Sequence, residues 1–350
     1  MLNNYVKVNE DIIGSLLSND VYTSLGNMVV PKDTLITKYI LNKLLKFGIE
    51  KVSTYKINTI SRNDDYIKRN DINDTQKKYI EYANNAKRLL QDLASGKQLN
   101  LNIVESISEN LYSKLNDCGS LIDCVNSVRI ADEYTYSHMI NVSIYSMLIA
   151  RWMGMSKEQV KDVVMAGILH DVGKSRIPLE ILNKKGSLTE SEFKIMKKHT
   201  VYGFEIIKDN KYISMDVKRA VVMHHEKENG LGYPYGIKGD QKNVYAKILT
   251  VADIFDAITS NRVYKRRQTP FAAFRELERI KYDVVDPIVM MTMLFNMPNY
   301  YIGSKVRMQN GEIGEVVYVP NQCAYAPVIK VDEKFYDFSN EEEDLIVEFL

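Results

Sequence analysis

Cysteine is scarce in this chain of 350 residues: there are three, Cys118, Cys124 and Cys323. An odd number without metal-knuckle spacing argues against a disulfide framework and a zinc ribbon, and it suits a reducing cytoplasm. No charge of one sign predominates, since Lys+Arg is 46 and Asp+Glu is 45. That balance gives no global basic field to draw in a nucleic-acid polymer, so a small anionic ligand has to be caught by local charges. No apolar run approaches the roughly 20 residues that span a bilayer, so membrane contact is not expected without a partner. Met1-Leu2-Asn3-Asn4-Tyr5 has neither the basic nor the apolar region of a signal peptide. A hydrophobic fraction of 45% and a charged fraction of 26% are those of a soluble globular protein. A cytoplasmic location is expected.

The chain divides by composition. Residues 1–57 read as a small α/β accessory unit. Asp20-Val21-Tyr22 and Met28-Val29-Val30 have strand character around a Gly26-Asn27 turn. Ile40, Leu41, Leu44 and Leu45 fall on one helical face, Gly48 ends that helix, and Ile49 to Tyr55 returns to strand composition. Residues 58–117 read as a helical linker with helices near Thr75–Ala94 and Leu101–Leu115. Leu89, Leu90 and Leu93 give the first a narrow apolar stripe, which makes it a candidate homodimer contact. Residues 118–297 are helical by pattern, over Ser120–Ile130, Glu133–Met153, Lys157–His170, Glu190–His199, Asp216–His225, Val244–Asn261 and Pro270–Arg279. Residues 298–350 switch to period two, with a hairpin about Asn310-Gly311 and a further strand at Val328–Val331. The expected fold is mainly α: an all-helical domain with a small N-terminal α/β unit and a small C-terminal β appendage.

Histidine is scarce too, and its placement is informative. All five, His138, His170, His199, His224 and His225, fall within residues 138–225, each in or at the end of an apolar helical pattern. A buried neutral imidazole needs a partner. One such histidine is ordinarily a satisfied core residue; five in one helical region point to metal ligation. Two carboxylates fit the set. Asp171 follows His170, and Asp253 lies in the apolar run Ile248–Phe255, where a carboxylate is costly unless paired or bound to a cation. The structural alternatives are a helix C-terminus at His170-Asp171 and a pair between Asp253 and Lys247 or Arg262. Asp256, one turn on, reads as a weaker ligand candidate or a structural hydrogen-bonder.

Five imidazoles and two carboxylates exceed what one metal needs, so a two-metal site with a bridging carboxylate is the economical arrangement. Ligation by N and O allows Fe, Mn, Ni, Co or Zn. Paired metals suit phosphate-ester hydrolysis, because they acidify a bridging water to hydroxide and stabilise in-line displacement. Lys174 and Arg262 are better placed to hold phosphate oxygens than the later Lys265-Arg266-Arg267 cluster.

These residues also occur in a familiar order. His138 is followed by His170-Asp171-Val172-Gly173-Lys174, then His199 and Gly203. His224-His225-Glu226-Lys227-Glu228-Asn229-Gly230-Leu231-Gly232-Tyr233-Pro234 comes next, and Ala252–Ala257 and Thr259–Tyr264 close the set. Over residues 120–297 the chain resembles the HD-GYP subgroup of the HD phosphohydrolases, which hydrolyse cyclic di-GMP. The resemblance implies that His138, His170, Asp171 and Asp253 bind one metal, and that Asp171 bridges to a second held by His199, His224 and His225. It implies Fe or Mn as the metals and attack on phosphorus by a bridging hydroxide. Asp171 and Lys174 would be catalytic, Lys174 contacting the scissile phosphate or assisting the leaving group. Arg262, Lys265, Tyr233 and Gly232 would contact substrate, and the product would be linear pGpG and then GMP. Tyr134 stands where trinuclear members carry a glutamate, with Glu133 adjacent, so two metals are expected rather than three. Lys227 and Asn229 replace the usual Arg and Asp of the signature loop; Lys227 keeps the charge but loses the planar fork. A different cyclic dinucleotide such as cyclic GMP-AMP, and a cyclic-di-GMP receptor with little turnover, are the competing readings.

Overall fold

The computed structural model describes residues 5–23, 28–32, 34, 36, 38–56, 69–114, 122, 125, 134–260, 268–280, 282–320, 323–332, 334–338 and 345–350. The chain separates into two compact units: Met1–Ile67 together with Met297–Leu350, and Lys68–Asn296. The two ends, which read as separate appendages in the sequence, therefore share one unit.

In that unit the N-terminal strands are β1 (Tyr5–Lys7), β2 (Ser15–Leu17), β3 (Val21–Tyr22), β4 (Met28–Val30) and, after helix α1 (Lys38–Lys46), β5 (Lys51–Lys56). β5 lies between β1 and β2, antiparallel to both, and β3 pairs with β4. Leu17, Val30, Ile36 and Leu44 fill the core of this part. The C-terminal strands β6 (Lys305–Met308), β7 (Ile313–Tyr318), β8 (Val328–Val331), β9 (Lys334–Asp337) and β10 (Ile346–Phe349) form an antiparallel sheet in the order β10-β6-β7-β8-β9. Leu16 packs with Val317 and Val328, and this apolar contact across the length of the chain joins its ends. β1, β2, β9 and β10, each three or four residues long, were not read from the sequence.

The second unit is helical. Its elements are α2 (Arg69–Ala94), α3 (Leu101–Ser113), α4 (Tyr134–Trp152), α5 (Lys157–Leu169), α6 (Leu179–Leu182), α7 (Glu190–Met196), α8 (His199–Ile207), α9 (Met215–Met223), α10 (Val244–Thr259), α11 (Pro270–Arg279) and α12 (Pro287–Asn296). α4 is the central helix, since residues 138–150 are buried on every side. A helix apolar all round can only sit inside such a bundle. Helix starts follow local chemistry. Ser156 with Gln159 and Thr189 with Glu192 form capping boxes, Asn243 caps α10, and Thr269 caps α11 with Pro270 in its first turn. α2 and α3, read as linker, belong to this unit. The buried face of α2 is Thr75, Tyr79, Tyr82, Ala86 and Leu89, in place of the Leu89-Leu90-Leu93 stripe. α8 and α12 were not legible. Only two residues separate α7 from α8, and the pattern ran them together as one helix ending at His199. The expected helix over 120–130 lies largely outside the described residues. No described helix is long and apolar enough to cross a membrane.

Candidate metal centre

Helix ends aim three of the histidines. His170 follows the last residue of α5, His224 follows the last residue of α9, and His199 opens α8 just beyond the end of α7. Each Nδ1–H donates to the carbonyl three residues earlier: Gly167 at 2.7 Å, Met196 at 2.8 Å and Val221 at 2.8 Å. A carbonyl only accepts, so the proton sits on Nδ1 and Nε2 carries the free lone pair. The helix-end reading of His170 and the ligand reading are thus the same geometry. Capping fixes the tautomer that ligation needs. Gly173 lets the next turn, residues 172–176, lie against α8, because a Cβ there would stand 1.9 Å from the His199 carbonyl oxygen.

The rings form one contiguous cluster. Centroids lie 5.3 Å apart for His138 and His170, 5.1 Å for His170 and His224, 5.1 Å for His199 and His225, and 4.1 Å for His224 and His225. Two sets of donor atoms each fall within 4.8 Å: His138, His170 and Asp171; and His199, His224 and His225. The Asp171 carboxylate reaches both. Its Oδ2 is 3.2 Å from His170 Nε2 and 3.6 Å from His138 Nε2, and its Oδ1 is 3.5 Å from His199 Nε2. Asp253 Oδ1 lies 3.2 Å from His138 Nε2 and its Oδ2 is 3.9 Å from His225 Nδ1. Lys247 pairs with Asp286 at 2.8 Å and approaches Glu228 at 3.5 Å, which leaves the Asp253–Lys247 pair unmade. Arg262 and Lys265 lie outside the described residues, as do Glu133 and the Tyr134 side chain.

Electrostatics follow from burial and neighbours. Burial drives His199 down to about 4 and His225 to about 3, and with its histidine neighbours holds His224 well below its ordinary value. Burial opposes charge on His138 too, but hydrogen bonds to Asp253 and Asp256 outweigh it and raise this imidazole to about 9. Asp171 and Asp253 are pulled below the usual carboxylate range despite burial, Asp171 by His170 and Lys174, Asp253 by His138. Lys174 Nζ donates to Asp171 Oδ2 at 2.5 Å. Asp171 Oδ1 and His170 Nε2 are buried and have no hydrogen-bond partner. Buried acceptors without a partner are uncommon and call for an explanation, which a cation held between them supplies. Imidazole and carboxylate donors, without thiolate, fit a divalent cation.

Behind His138 stands a carboxylate. His138 Nδ1 donates to Asp256 Oδ2 at 2.7 Å, and Asp256 Oδ1 accepts from Asn141 Nδ2 at 2.8 Å and Ser260 Oγ at 3.0 Å. Asp256 is therefore the partner that orients a candidate ligand. Its spacing from Asp253, three residues along α10, was the available signal. The signature loop closes one side of the centre. Glu226 is fully buried, and its Oε1 accepts from Tyr235 N at 2.7 Å and Gly236 N at 3.1 Å. Gly232 sits where a Cβ would be 2.4 Å from Glu226 Cα, and this close approach carries Tyr233 over His225, with ring centroids 4.7 Å apart. Lys197, which no sequence feature singled out, has its Nζ 5.2 Å from the Phe193 ring centroid and 5.9 Å from that of Tyr233.

Residues 124–289 match the family described as the HD domain. Over these residues the chain is similar to the HD-domain family. The chain is 32% identical over 229 residues to a cyclic di-GMP phosphodiesterase of Pseudomonas aeruginosa, covering 65% of this chain and 54% of that protein. It is 36% identical to a cyclic di-GMP phosphodiesterase of Thermotoga maritima, covering 55% and 53% respectively. It is 38% identical over 141 residues to 3′3′-cGAMP-specific phosphodiesterase 2 of Vibrio cholerae, covering 40% and 27%. The chain thus spans about half the length, or less, of these curated relatives. A solved HDG"Y"P protein from Bdellovibrio bacteriovorus shares the fold of this chain, with a TM-score of 0.50 at 16% identity over 83% of this chain and 98% of that one.

Proposed function

We propose that this HD-domain protein is a metal-dependent phosphodiesterase that hydrolyses cyclic di-GMP in the cytoplasm. The observation that carries the reading is the Asp171 carboxylate, whose two oxygens face two separate sets of imidazoles. The names of the relatives supply the substrate class.

In this reading His138, His170, Asp171 and Asp253 hold one divalent ion, and His199, His224 and His225, with Asp171 shared, hold a second. Fe or Mn suits the donors. Bound there, the ions supply Lewis acidity toward water and the phosphate oxygens. The protein's own groups do the rest. Four imidazoles present Nε2, with His170, His199 and His224 fixed by backbone carbonyls and His138 by Asp256. Lys174 is half-buried beside Asp171, where its Nζ can contact a phosphate oxygen and give a proton to the departing 3′ oxygen as the P–O3′ bond breaks. Water supplies the hydroxyl that ends on phosphorus, and linear pGpG results. Tyr233 offers its ring face to a guanine, and burial with the neighbouring Asp253 and Asp171 keeps its phenol protonated. Arg262 and Lys265 complete the proposed phosphate contacts, with Gly232 shaping the loop.

The test is incubation with cyclic di-GMP and Mn2+ or anaerobic Fe2+, followed by product chromatography. Appearance of pGpG or GMP in a metal-dependent manner supports the reading. Tight binding without product in every metal would replace it with a receptor. A second substrate, 3′3′-cGAMP, is favoured by the 38%-identical relative, and competing both dinucleotides in one reaction decides between them.

A further inference from the structure

A buried hydrogen-bond chain runs from α2 to the metal centre. Tyr79 is 2% exposed on the inward face of α2, and its hydroxyl donates to Asn141 Oδ1 at 2.5 Å. Asn141 Nδ2 donates to Asp256 Oδ1 at 2.8 Å, and Asp256 Oδ2 accepts from His138 Nδ1 at 2.7 Å. The direction of every donor is forced. An ionised carboxylate only accepts, so Asn141 must turn its amino end toward Asp256. Its carbonyl end then faces Tyr79, which has to donate. At the far end the proton stays on His138 Nδ1, and Nε2 is turned toward Asp171 and Asp253.

We infer that Tyr79 is a remote positioning residue for His138: through Asn141 and Asp256 it holds this imidazole in the tautomer and orientation that a metal ion needs. The inference rests on the reading of the site as a metal centre. Nothing in the local sequence marks Tyr79, which lies 62 positions before Asn141. α2 is also the first described helix of its unit in chain order, so a displacement of α2 is felt at His138 through three hydrogen bonds. Ser260 shares Asp256 Oδ1, so loss of Tyr79 loosens the carboxylate without releasing it. The effect is therefore graded.

The experiment titrates Mn2+ into the full metal-free chain and follows the free ion by its electron paramagnetic resonance signal. Wild type, Tyr79→Phe, Asn141→Leu, the double variant and Leu89→Val are compared, with thermal melting of each. Partners behind metal ligands typically contribute 10–100-fold in affinity, and Asn141 and Tyr79, one and two links further back, are expected to contribute roughly ten-fold or less each. Tyr79→Phe and Asn141→Leu should each weaken Mn2+ binding, and the double variant should be no weaker than Asn141→Leu alone. Leu89→Val, buried on the same face of α2, should lower the melting temperature without changing Mn2+ affinity. Unchanged affinity in Tyr79→Phe and Asn141→Leu, or fully additive losses in the double variant, overturns the relay while leaving the metal centre standing. Failure of the wild-type protein to bind Mn2+ or Fe2+ at all overturns the metal centre and the relay together.

Discussion

Lys174 reaches back three residues to Asp171, Nζ to Oδ2 at 2.5 Å, while the Oδ1 of that carboxylate is buried with no hydrogen-bond partner. The ammonium and any metal ion thus share one carboxylate. Lys174→Met removes a cation and a proton donor but no ligand. Turnover of cyclic di-GMP should fall by about 100-fold or more, the range for loss of a general acid, while bound metal is retained. Elemental analysis and steady-state kinetics on the same sample check this. Metal loss in Lys174→Met would assign Lys174 to folding of the site.

The two donor sets predict a stoichiometry. The wild-type chain should bind about two ions, as expected of a paired site. His138→Ala and His199→Ala should each retain about one, and Asp171→Ala should lose both, because its carboxylate serves each set. Metal content after dialysis against Mn2+ reads this directly. Chelation of the wild-type protein should abolish turnover, and Mn2+ should restore it.

His138 makes metal binding proton-linked. In the metal-free protein its imidazole is raised to about 9, so at pH 7 it is protonated on both nitrogens. Ligation needs the neutral ring, so binding releases its proton, and affinity should increase with pH until about 9. Calorimetry of Mn2+ binding in buffers of different ionisation enthalpy measures the released protons. No release at pH 7 would contradict this charge state.

The same groups set the stability profile of the metal-free protein. His138, raised in the fold, contributes stability that is complete below its ordinary value near 6.5 and is lost as pH rises through about 9. His199 and His225 are depressed to about 4 and about 3, so their contribution is complete above about 6.5 and is lost as pH falls toward those values. Thermal melting across pH 4–9 should therefore peak near neutrality. Metal loading should flatten the alkaline side, since it neutralises His138.

Gly232 and Tyr233 form another separable test. Gly232→Ala places a methyl 2.4 Å from Glu226 Cα and Lys227 N, so the loop must move and take Tyr233 off His225. Metal content should be unchanged and KM for cyclic di-GMP should rise. Tyr233→Ala should raise KM by roughly ten-fold, the order expected for loss of one base-stacking face, and Tyr233→Phe should restore most of it.

Donor chemistry was legible in the linear chain, and the donors' cooperation was not. Five histidines gathered into residues 138–225, with Asp171 and Asp253 in apolar surroundings, are written in residue identity, because an imidazole or carboxylate in an apolar helix needs a partner wherever the helix lies. Capping residues and the period of apolar side chains set most helices for the same local reason. Tertiary packing alone decided that Asp171 faces both donor sets, that Lys247 turns away to Asp286, and that Tyr79 stands behind Asn141 and Asp256. It likewise decided that Leu16 meets Val317 and Val328, so the chain ends share a unit. These contacts join residues far apart in sequence, and they exist only where close packing brings helices or strands within hydrogen-bonding or van der Waals reach. His170-Asp171 shows the division in one place. Its helix-end chemistry belongs to the local sequence, and its place between two sets of imidazoles belongs to the fold.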